Sequence, residues 1–347
     1  AEIPFTADVK AFLTEPVRPK RSPVHDEVQA RLIRWPSISA DGKRALFGAL
    51  GRIYGMTLAD GAVKELAVGK ALDGARLYAP SFSPDGDFLT FVSWDDQAGG
   101  AVWVMPSRGP APARRVSRLG PKFSNPTFSA DSKEIVALRG SGAHLRATDL
   151  AGELWSDIVL LDVTRPGADE VIVTETTGVP AAVRPRLTAD GRRVLFAEQE
   201  AADPLASEVG VLISVNRDGT DRKTVLRVAN AVEVVLSPDG RWVAFLDGHH
   251  IWLSAVPAAG TPPVEIGAGT AATPGWRLSE VSGAWVEFSP DSEWVTFGHG
   301  PEIHRVSVAE AIGWEEAKQE KARLVAEGDD DDSASDGDDD SASDGDD

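Results

Sequence analysis

The sequence predicts an all-β fold, a six-bladed β-propeller built from four-stranded antiparallel blades. The first observation is a turn motif, Ser-Pro-Asp-Gly or a close variant, that occurs six times. The second is its spacing: successive copies lie 44, 46, 59, 49 and 52 residues apart, and repeats of roughly 40 to 50 residues are typical of propeller blades. The third is that each copy follows a large apolar residue and precedes an apolar strand. The six turns begin at Ser39, Ser83, Ser129, Thr188, Ser237 and Ser289.

The second copy displays the expected blade most completely. Its turn has proline in the second position and glycine in the fourth, between predicted strands Ala79–Ser83 and Asp87–Trp94. A third strand is expected at Ala101–Met105 and a fourth at Arg114–Ser117. One such sheet cannot bury both of its faces alone, so the units must stack. A closed ring stacks them and leaves only short edges.

The chain divides into four predicted segments. These are an N-terminal extension (1–34), the six-bladed propeller (35–309), a helix (310–327) and an acidic disordered tail (328–347). The last repeat has no obvious fourth strand, whereas residues 3–9 alternate as a strand does. We therefore expect the N-terminal segment to supply the missing outer strand and to close the ring. Removal of residues 1–14 should then lower the melting temperature by many degrees.

Two blades carry longer excursions. The third has a polar insertion within 139–156, between its second and third strands, and the fourth has one at Glu200–Glu208. In a propeller, loops at one rim vary freely while the sheets stay rigid, and contacts with partners are common there. The candidate rim residues are Trp94, Asp95, Asp96, His144, His249 and His250.

Composition excludes several kinds of site. The chain has no cysteine, so disulfides and thiolate metal sites are excluded. The net charge of −19 comes largely from residues 329–347, which hold eleven Asp and no base and leave −8 for the rest. A mildly acidic body does not favour nucleic-acid binding. No apolar run approaches the ~20 residues of a membrane-spanning helix, and no signal-peptide pattern opens the chain, so we expect no membrane insertion.

No set of residues converges on catalysis. Among the six histidines only His249 and His250 are neighbours, and adjacent residues on a strand or turn point in opposite directions. Gly140-Ser141-Gly142 lacks the spacing and the strand-to-helix context of a nucleophilic serine. The acidic tail lacks the ligand alternation and the closing Glu of a calcium loop. We expect no catalytic residue, metal or cofactor in this chain, and a structural role for the turn aspartates.

The remaining candidates are charged and aromatic residues that the repeat places around the ring's axis. They stand four or two positions before the first residue of each turn, near the start of each innermost strand. A ligand or a peptide held in the resulting funnel is one interpretation. The alternative is that these residues only pair with one another or pack between blades. The set is Trp35, Asn125, Arg184, Arg186, Glu233, Trp285 and Glu287.

The repeat resembles that of the TolB-like (WD40-like) propellers. The turn, the apolar residue before it and the strand after it carry the resemblance, which covers Trp35 to Ala309. Three shorter strings are similar to the propeller region that precedes the metal-dependent amidohydrolase domain of large bacterial exported proteins. They are Arg34–Lys43, Val92–Gly100 and Ile3–Ala7.

That narrower resemblance implies a non-catalytic propeller module of an amidohydrolase-type system. The module would gate access of substrates to the hydrolase and mediate contacts with the hydrolase domain or another protein. Any divalent metal would belong to that partner domain. The resemblance also implies a periplasmic or extracellular location, with the cytoplasm not excluded. Alternatives are a stand-alone TolB-like interaction scaffold and, less favoured, the propeller of a prolyl oligopeptidase-like peptidase. A self-sufficient hydrolase is favoured least.

Overall fold

A computed structural model of the chain describes residues 10, 27–140, 155–177, 184–200, 209–257, 263–268 and 273–313. The chain forms two compact units, Ala1–Ala30 and Arg31–Asp347. Only residues 10 and 27–30 of the first unit are described. The second unit contains all six blades, which confirms the predicted all-β propeller.

Blades one to three are four-stranded antiparallel sheets in which neighbouring strands are consecutive in sequence. Blade one contains β1 (Arg34–Ile38), β2 (Arg44–Ala49), β3 (Arg52–Thr57) and β4 (Val63–Glu65). Blade two contains β5 (Arg76–Phe82), β6 (Phe88–Asp95), β7 (Gly99–Pro106) and β8 (Arg114–Arg115), and a short 3-10 helix, Lys70–Leu72, precedes it. Blade three contains β9 (Phe123–Phe128), β10 (Glu134–Gly140), β11 (Trp155–Asp162) and β12 (Val171–Thr177).

The remaining blades depart from this plan in small ways. Blade four contains β13 (Arg186–Leu187), β14 (Arg193–Glu200), β15 (Val209–Asn216), β16 (Lys223–Ala229) and β20 (Val264–Ile266). Its last strand, β20, runs parallel to β16 and was not expected. Blade five contains β17 (Ala231–Leu236), β18 (Trp242–Asp247), β19 (His250–Ala255) and β21 (Gly275–Arg277). Blade six contains β22 (Ala284–Phe288), β23 (Trp294–His299) and β24 (Glu302–Ser307).

The repeated turn is held by the same hydrogen bonds in every blade. In blade two the Ser83 hydroxyl donates to Asp85 at 2.5 Å and accepts from the Phe88 amide at 2.9 Å. Asp85 in turn accepts from the amide of Asp87 at 3.0 Å. The hydroxyl and the carboxylate thus satisfy backbone donors that the two-strand ladder leaves unpaired. This arrangement confirms a structural role for the turn aspartates.

Glycine is favoured in the fourth turn position because the backbone there has a positive φ. Gly86 and Gly240 both have φ of +74°, in the left-handed region that glycine enters without strain. Two copies carry serine instead, and Ser132 and Ser292 adopt the same conformation, with φ of 60° and 65°.

The core lies between blades rather than within them. Five clusters of buried apolar residues each join two consecutive blades, from blades one and two to blades five and six. Phe91, Phe245 and Phe297 are among the largest fully buried side chains. Because second strands such as β6 and β18 are buried on both faces, stacking on two neighbours is what keeps them from water.

Direct contact between β1 and blade six closes the described ring. The Ile33 amide donates to the Gly300 carbonyl at 2.9 Å. The Arg305 guanidinium donates to the Gly42 carbonyl at 3.1 Å and lies over the Trp294 ring. The expected outer strand from the N-terminal segment falls outside the described residues, so that part of the closure remains a prediction.

The two predicted insertions and the predicted C-terminal helix adjoin or overlap the described residues. The third-blade insertion interrupts the hairpin in which Gly140 pairs with Ser156, and the fourth-blade excursion interrupts the pairing of Glu200 with Val209. A helix begins at residue 308 and is described to residue 313. The rest of the predicted helix and the predicted acidic tail fall outside the described residues.

Candidate axial binding site

The inner strands surround an axial cavity of about 460 Å³, here called the axial mouth. Turn residues such as Pro84, Pro238 and Pro290 form its wall, so it opens at the end of the sheets where first and second strands are joined. The apolar residue before each turn, for example Phe82 or Phe288, also lines it. Its volume is within the range of ~300–1,000 Å³ that is usual for sites of small ligands.

Three charged side chains meet at the axis, and two of them, Arg186 and Glu287, line the axial mouth and are here called its floor. Glu287 accepts a hydrogen bond from Arg184 Nη1 at 2.7 Å and another from Arg186 Nη2. Arg184 Nη1 also donates to the Val286 carbonyl at 2.8 Å. The side chains of Arg184, Arg186 and Glu287 are only 7, 14 and 17% exposed. Two guanidinium groups therefore share one carboxylate in a largely buried place.

A second, much smaller cavity lies deeper along the axis. Its volume is about 20 Å³, enough for about one water molecule. Trp35, Asn125, Arg184 and Glu287 are among the residues that line it. Glu287 lines both cavities, and five of the seven predicted funnel residues line one or the other: Trp35, Asn125, Arg184, Arg186 and Glu287.

The backbone is strained at this inner cavity. Trp35, Ala79 and Asn125 have φ of 51°, 50° and 47°, and the equivalent Trp285 has φ of 62°. This conformation costs residues other than glycine roughly 1–2 kcal/mol each. The pairing register of each of these first strands shifts at the same point. Strained backbone is often found at binding sites. Here it occurs at the equivalent position of four first strands.

Three buried polar atoms in this region have no hydrogen-bond partner among the described residues: Trp35 Nε1, Arg184 Nη2 and Arg186 Nε. All three are donors. A buried donor without a partner costs about 1–3 kcal/mol. All three donors are enclosed by protein and have almost no accessible surface.

Two of the predicted lining residues have other contacts. Glu233 is buried and accepts the backbone amides of Trp285 and Val286, both at 3.0 Å, which ties blade five to blade six. Trp285 packs against Trp35 with ring centroids 4.7 Å apart, and the Arg34 guanidinium lies 5.7 Å from the Trp285 ring. Neither Glu233 nor Trp285 lines the two axial cavities.

The described rim candidates lie at the opposite end of the sheets from the axial mouth. Successive connections in an antiparallel meander alternate between ends, and these residues lie at or beside the connection between the second and third strands of blades two and five. Trp94 Nε1 donates to Asp96 at 2.8 Å, and Asp95 accepts two amides of its own turn. His249 lies in the turn before β19, and His250 Nδ1 is 3.4 Å from the hydroxyl of Ser279. His144 falls outside the described residues.

The electrostatics of the axial mouth are set by its turns as well as its floor. Burial by itself would raise the pKa of Asp239, but hydrogen bonds from Ser237 and Arg241 outweigh it and lower that pKa. Asp239 is therefore ionised at neutral pH at the entrance. The turn residues that form the cavity wall were not among the predicted site residues, although their sixfold repetition at one end of the sheets was the signal.

Within the described ranges, no group of three or more His, Cys, Asp or Glu side chains is arranged to hold a metal ion. Those ranges also contain no helix that is long and apolar enough to span a membrane.

No protein-family model matches the chain, and no curated protein matches its sequence. Solved structures do match. The putative TolB from Agrobacterium tumefaciens has a TM-score of 0.53 and 19% sequence identity, over 80% of this chain and 91% of that chain. The fold is that of a TolB-like propeller. At this identity the likeness shows the fold and not the activity.

Two further neighbours differ in what they are named for. A gluconolactonase from Xanthomonas campestris has a TM-score of 0.51 and 13% identity, over 80% of this chain and 86% of that chain. TolB from Acinetobacter baumannii has a TM-score of 0.46 and 18% identity, over 72% of this chain, and this chain spans only 55% of it. One fold can host unrelated functions, so the function of this chain must be argued from the site.

Proposed function

We propose that this chain is a non-catalytic binding module whose axial mouth receives part of a partner. The observation that supports this most is the axial mouth itself, an open cavity with an apolar wall and a charged, largely buried floor. The sheets around it are rigid because each packs on two neighbours, so the cavity is formed before binding. Preformed sites lose less conformational freedom on binding than flexible ones do.

The proposed partner is a metal-dependent amidohydrolase domain. The support for this is the similarity of Arg34–Lys43 and Val92–Gly100 to the propeller region that precedes such domains. Docked with its axis beside a hydrolase active site, the propeller limits which substrates reach that site. The divalent metal and the catalytic groups belong to the partner. The same resemblance supports a periplasmic or extracellular location.

The test compares partner binding by two double variants. Arg186→Ala with Glu287→Ala removes the charged floor, whereas Arg192→Ala with Glu293→Ala removes the same two charges from exposed turn positions. Circular dichroism first confirms that both variants are folded. We expect a metal-dependent hydrolase to co-purify with the wild type and with the control variant but not with the floor variant. Equal recovery by all three would refute binding at the axial mouth.

A stand-alone interaction scaffold is the second candidate function. Its support is that the chain covers 91% of the putative TolB from Agrobacterium tumefaciens, with no hydrolase domain needed to account for the match. A partner without hydrolase activity, lost in the floor variant, would favour this candidate. An α/β-hydrolase partner would instead favour the peptidase alternative.

A further inference from the structure

We propose that the acidic segment of this chain, residues 329–347, docks in a basic groove at the end of the sheets opposite the axial mouth. The groove is a cavity of about 400 Å³ where blades one and two meet, here called the rim groove. It includes the Leu50-Gly51 connection between the second and third strands of blade one. The rim groove shares no lining residue with the axial mouth, so failure of this proposal leaves the proposed function standing, and the reverse.

The rim groove carries an excess of positive charge. Arg34 and Arg76 line it and are exposed, and no acid lines it. Within the described ranges neither arginine has an ion pair, since the acid near this edge of blade one, Glu65, lies 3.7 Å from Arg52 instead. The axial mouth differs, because three acids and one arginine line it. An anionic segment is therefore attracted to the rim groove and not to the axial mouth.

Arg34 is held by aromatic rings and not by an acid. Its guanidinium carbon lies 6.0 Å from the ring centroid of Trp35 and 5.7 Å from that of Trp285. Contacts of this kind orient a guanidinium without using its five N–H groups as hydrogen-bond donors to an acceptor oxygen. The donors of Arg34 are thus positioned at the surface and available to a carboxylate.

Exposed apolar side chains flank the two arginines. Leu32 and Leu50, both in the lining of the rim groove, are 49 and 59% exposed. Leu50 also has φ of 52°, in the left-handed region where a two-residue hairpin turn usually has Asn, Asp or Gly. Charges beside apolar surface are less screened than charges surrounded by water. This surface therefore strengthens the attraction of Arg34 and Arg76 for an anion.

The acidic segment complements the rim groove in charge and in size. Residues 329–347 contain eleven Asp and no base, and their other residues are Ser, Ala and Gly. Small side chains of this kind let a chain lie close to a surface. Each Asp presents two acceptor oxygens, and a guanidinium can donate to both at once.

The length of the chain beyond residue 313 allows this docking. The strand β24 leads away from the end of the sheets that holds the rim groove, and its six residues are about 20 Å long. Fifteen residues, 314–328, precede the acidic segment, and a stretch of that length covers about 22 Å as a helix or up to about 50 Å when extended. Blade six, from which they leave, contacts β1 of blade one directly. A tether this short keeps the local concentration of the segment in the millimolar range, so individually weak ion pairs hold it.

The absence of cysteine from the chain permits a direct test with the full chain. Ser335→Cys introduces one thiol into the acidic segment, and a nitroxide spin label attached there broadens the NMR signals of nearby methyl groups. We expect the leucine methyl signals of Leu32 and Leu50 to lose at least about half of their intensity at low salt, and to regain it at about 0.5 M NaCl, where charges are screened within a few Å. The reduced, diamagnetic label gives the reference intensity.

Two double variants of the labelled chain locate the contact. Arg34→Gln with Arg76→Gln should abolish the broadening, since it removes both charges of the rim groove. The control is Arg115→Gln with Arg277→Gln, which removes two exposed arginines from the outer strands β8 and β21 and should leave the broadening unchanged. Circular dichroism first confirms that both variants are folded.

Three results would overturn the proposal. The first is an absence of broadening at Leu32 and Leu50 in the folded wild-type background, with or without broadening at Leu187 and Leu195 of the axial mouth. The second is broadening that both double variants leave unchanged. The third is equal broadening when the label and the isotope-labelled methyl groups are on different copies of the chain, because the segment would then come from a second copy.

Discussion

The link between blades five and six gives the sharpest prediction about stability. The Glu233 carboxylate accepts two backbone amides, those of Trp285 and Val286. The carbonyl of Val286 also accepts a hydrogen bond from Arg184 Nη1. Blades four, five and six therefore meet at this point. The substitution Glu233→Ala removes the acceptor and leaves two amides next to a small cavity.

The magnitude follows from those two bonds. A hydrogen bond to a charged acceptor contributes about 1.5–3 kcal/mol, so two lost bonds give about 3–6 kcal/mol. Glu233 is only 8% exposed, and its removal also relieves the cost of burying a carboxylate. We therefore expect a loss near the lower figure, about 3 kcal/mol. For a domain of this size that corresponds to a melting temperature lower by about 6–12 °C.

The assay is urea unfolding followed by tryptophan fluorescence, with a matched control. Glu265→Ala removes an exposed glutamate from a strand of the same ring and should change the free energy of unfolding by less than about 0.5 kcal/mol. Glu233→Gln retains one acceptor oxygen and should fall between the wild type and Glu233→Ala. Equal midpoints for Glu233→Ala and Glu265→Ala would refute the role assigned to this carboxylate.

Three other predictions concern the turns. Gly219→Ala should destabilise far more than Gly240→Ala in thermal unfolding, because both have positive φ but only at Gly219 would a Cβ overlap a carbonyl of the neighbouring blade; equal losses would contradict this. Ser83→Ala should cost about 1–3 kcal/mol by chemical unfolding, since it leaves the partly buried Phe88 amide without its acceptor, whereas Ser83→Thr should be tolerated because Thr188 makes the same bonds. Hydrogen bonds from Thr164 and Arg165 lower the pKa of Asp162 to about 2. A carboxyl with a lowered pKa stabilises the fold above its unfolded pKa of about 3.9 and loses that contribution as the pH falls through its folded pKa. The difference in melting temperature between the wild type and Asp162→Asn should therefore hold from pH 7 to 5 and shrink between about pH 4 and 2; a difference that shrinks between pH 7 and 5 would contradict the assignment.

The repeat predicted the ring because one short motif encodes a local structure that tertiary context does not override. The hydroxyl, the carboxylate and the glycine of each turn act within six residues of one another, so their spacing in the sequence fixes the turn. The predicted strand at Ala79–Ser83 is wrong at both ends, however, since β5 begins at Arg76 and ends at Phe82. The shift in register between Tyr78 and Ser81 lets the strand continue upstream of Pro80. Proline recurs at the equivalent position in four of the six copies, as Pro36, Pro80, Pro126 and Pro185, and a proline inside a strand is the available sign of such a bulge.

The candidate site was predictable in part for a related reason. Counting back from each turn placed Arg184, Arg186 and Glu287 together, and the structure has them in contact. The same counting put Glu233 in the lining, whereas its carboxylate is held by the backbone of blade six. Trp35, Ala79, Asn125 and Trp285, at the equivalent position of four other blades, have positive φ, whereas Glu233 does not. The direction of a side chain at a bulge depends on that local backbone, which spacing alone does not reveal.

Hydrogen exchange of the chain, alone and with its co-purified hydrolase, shows where the partner binds. We expect slowed exchange at the turns around the axial mouth, such as the amides of Gly86, Asp239 and Ser292, and in the inner strands beside them. Protection confined to the second-to-third-strand hairpins at the opposite end, near Asp96 and His249, would contradict it.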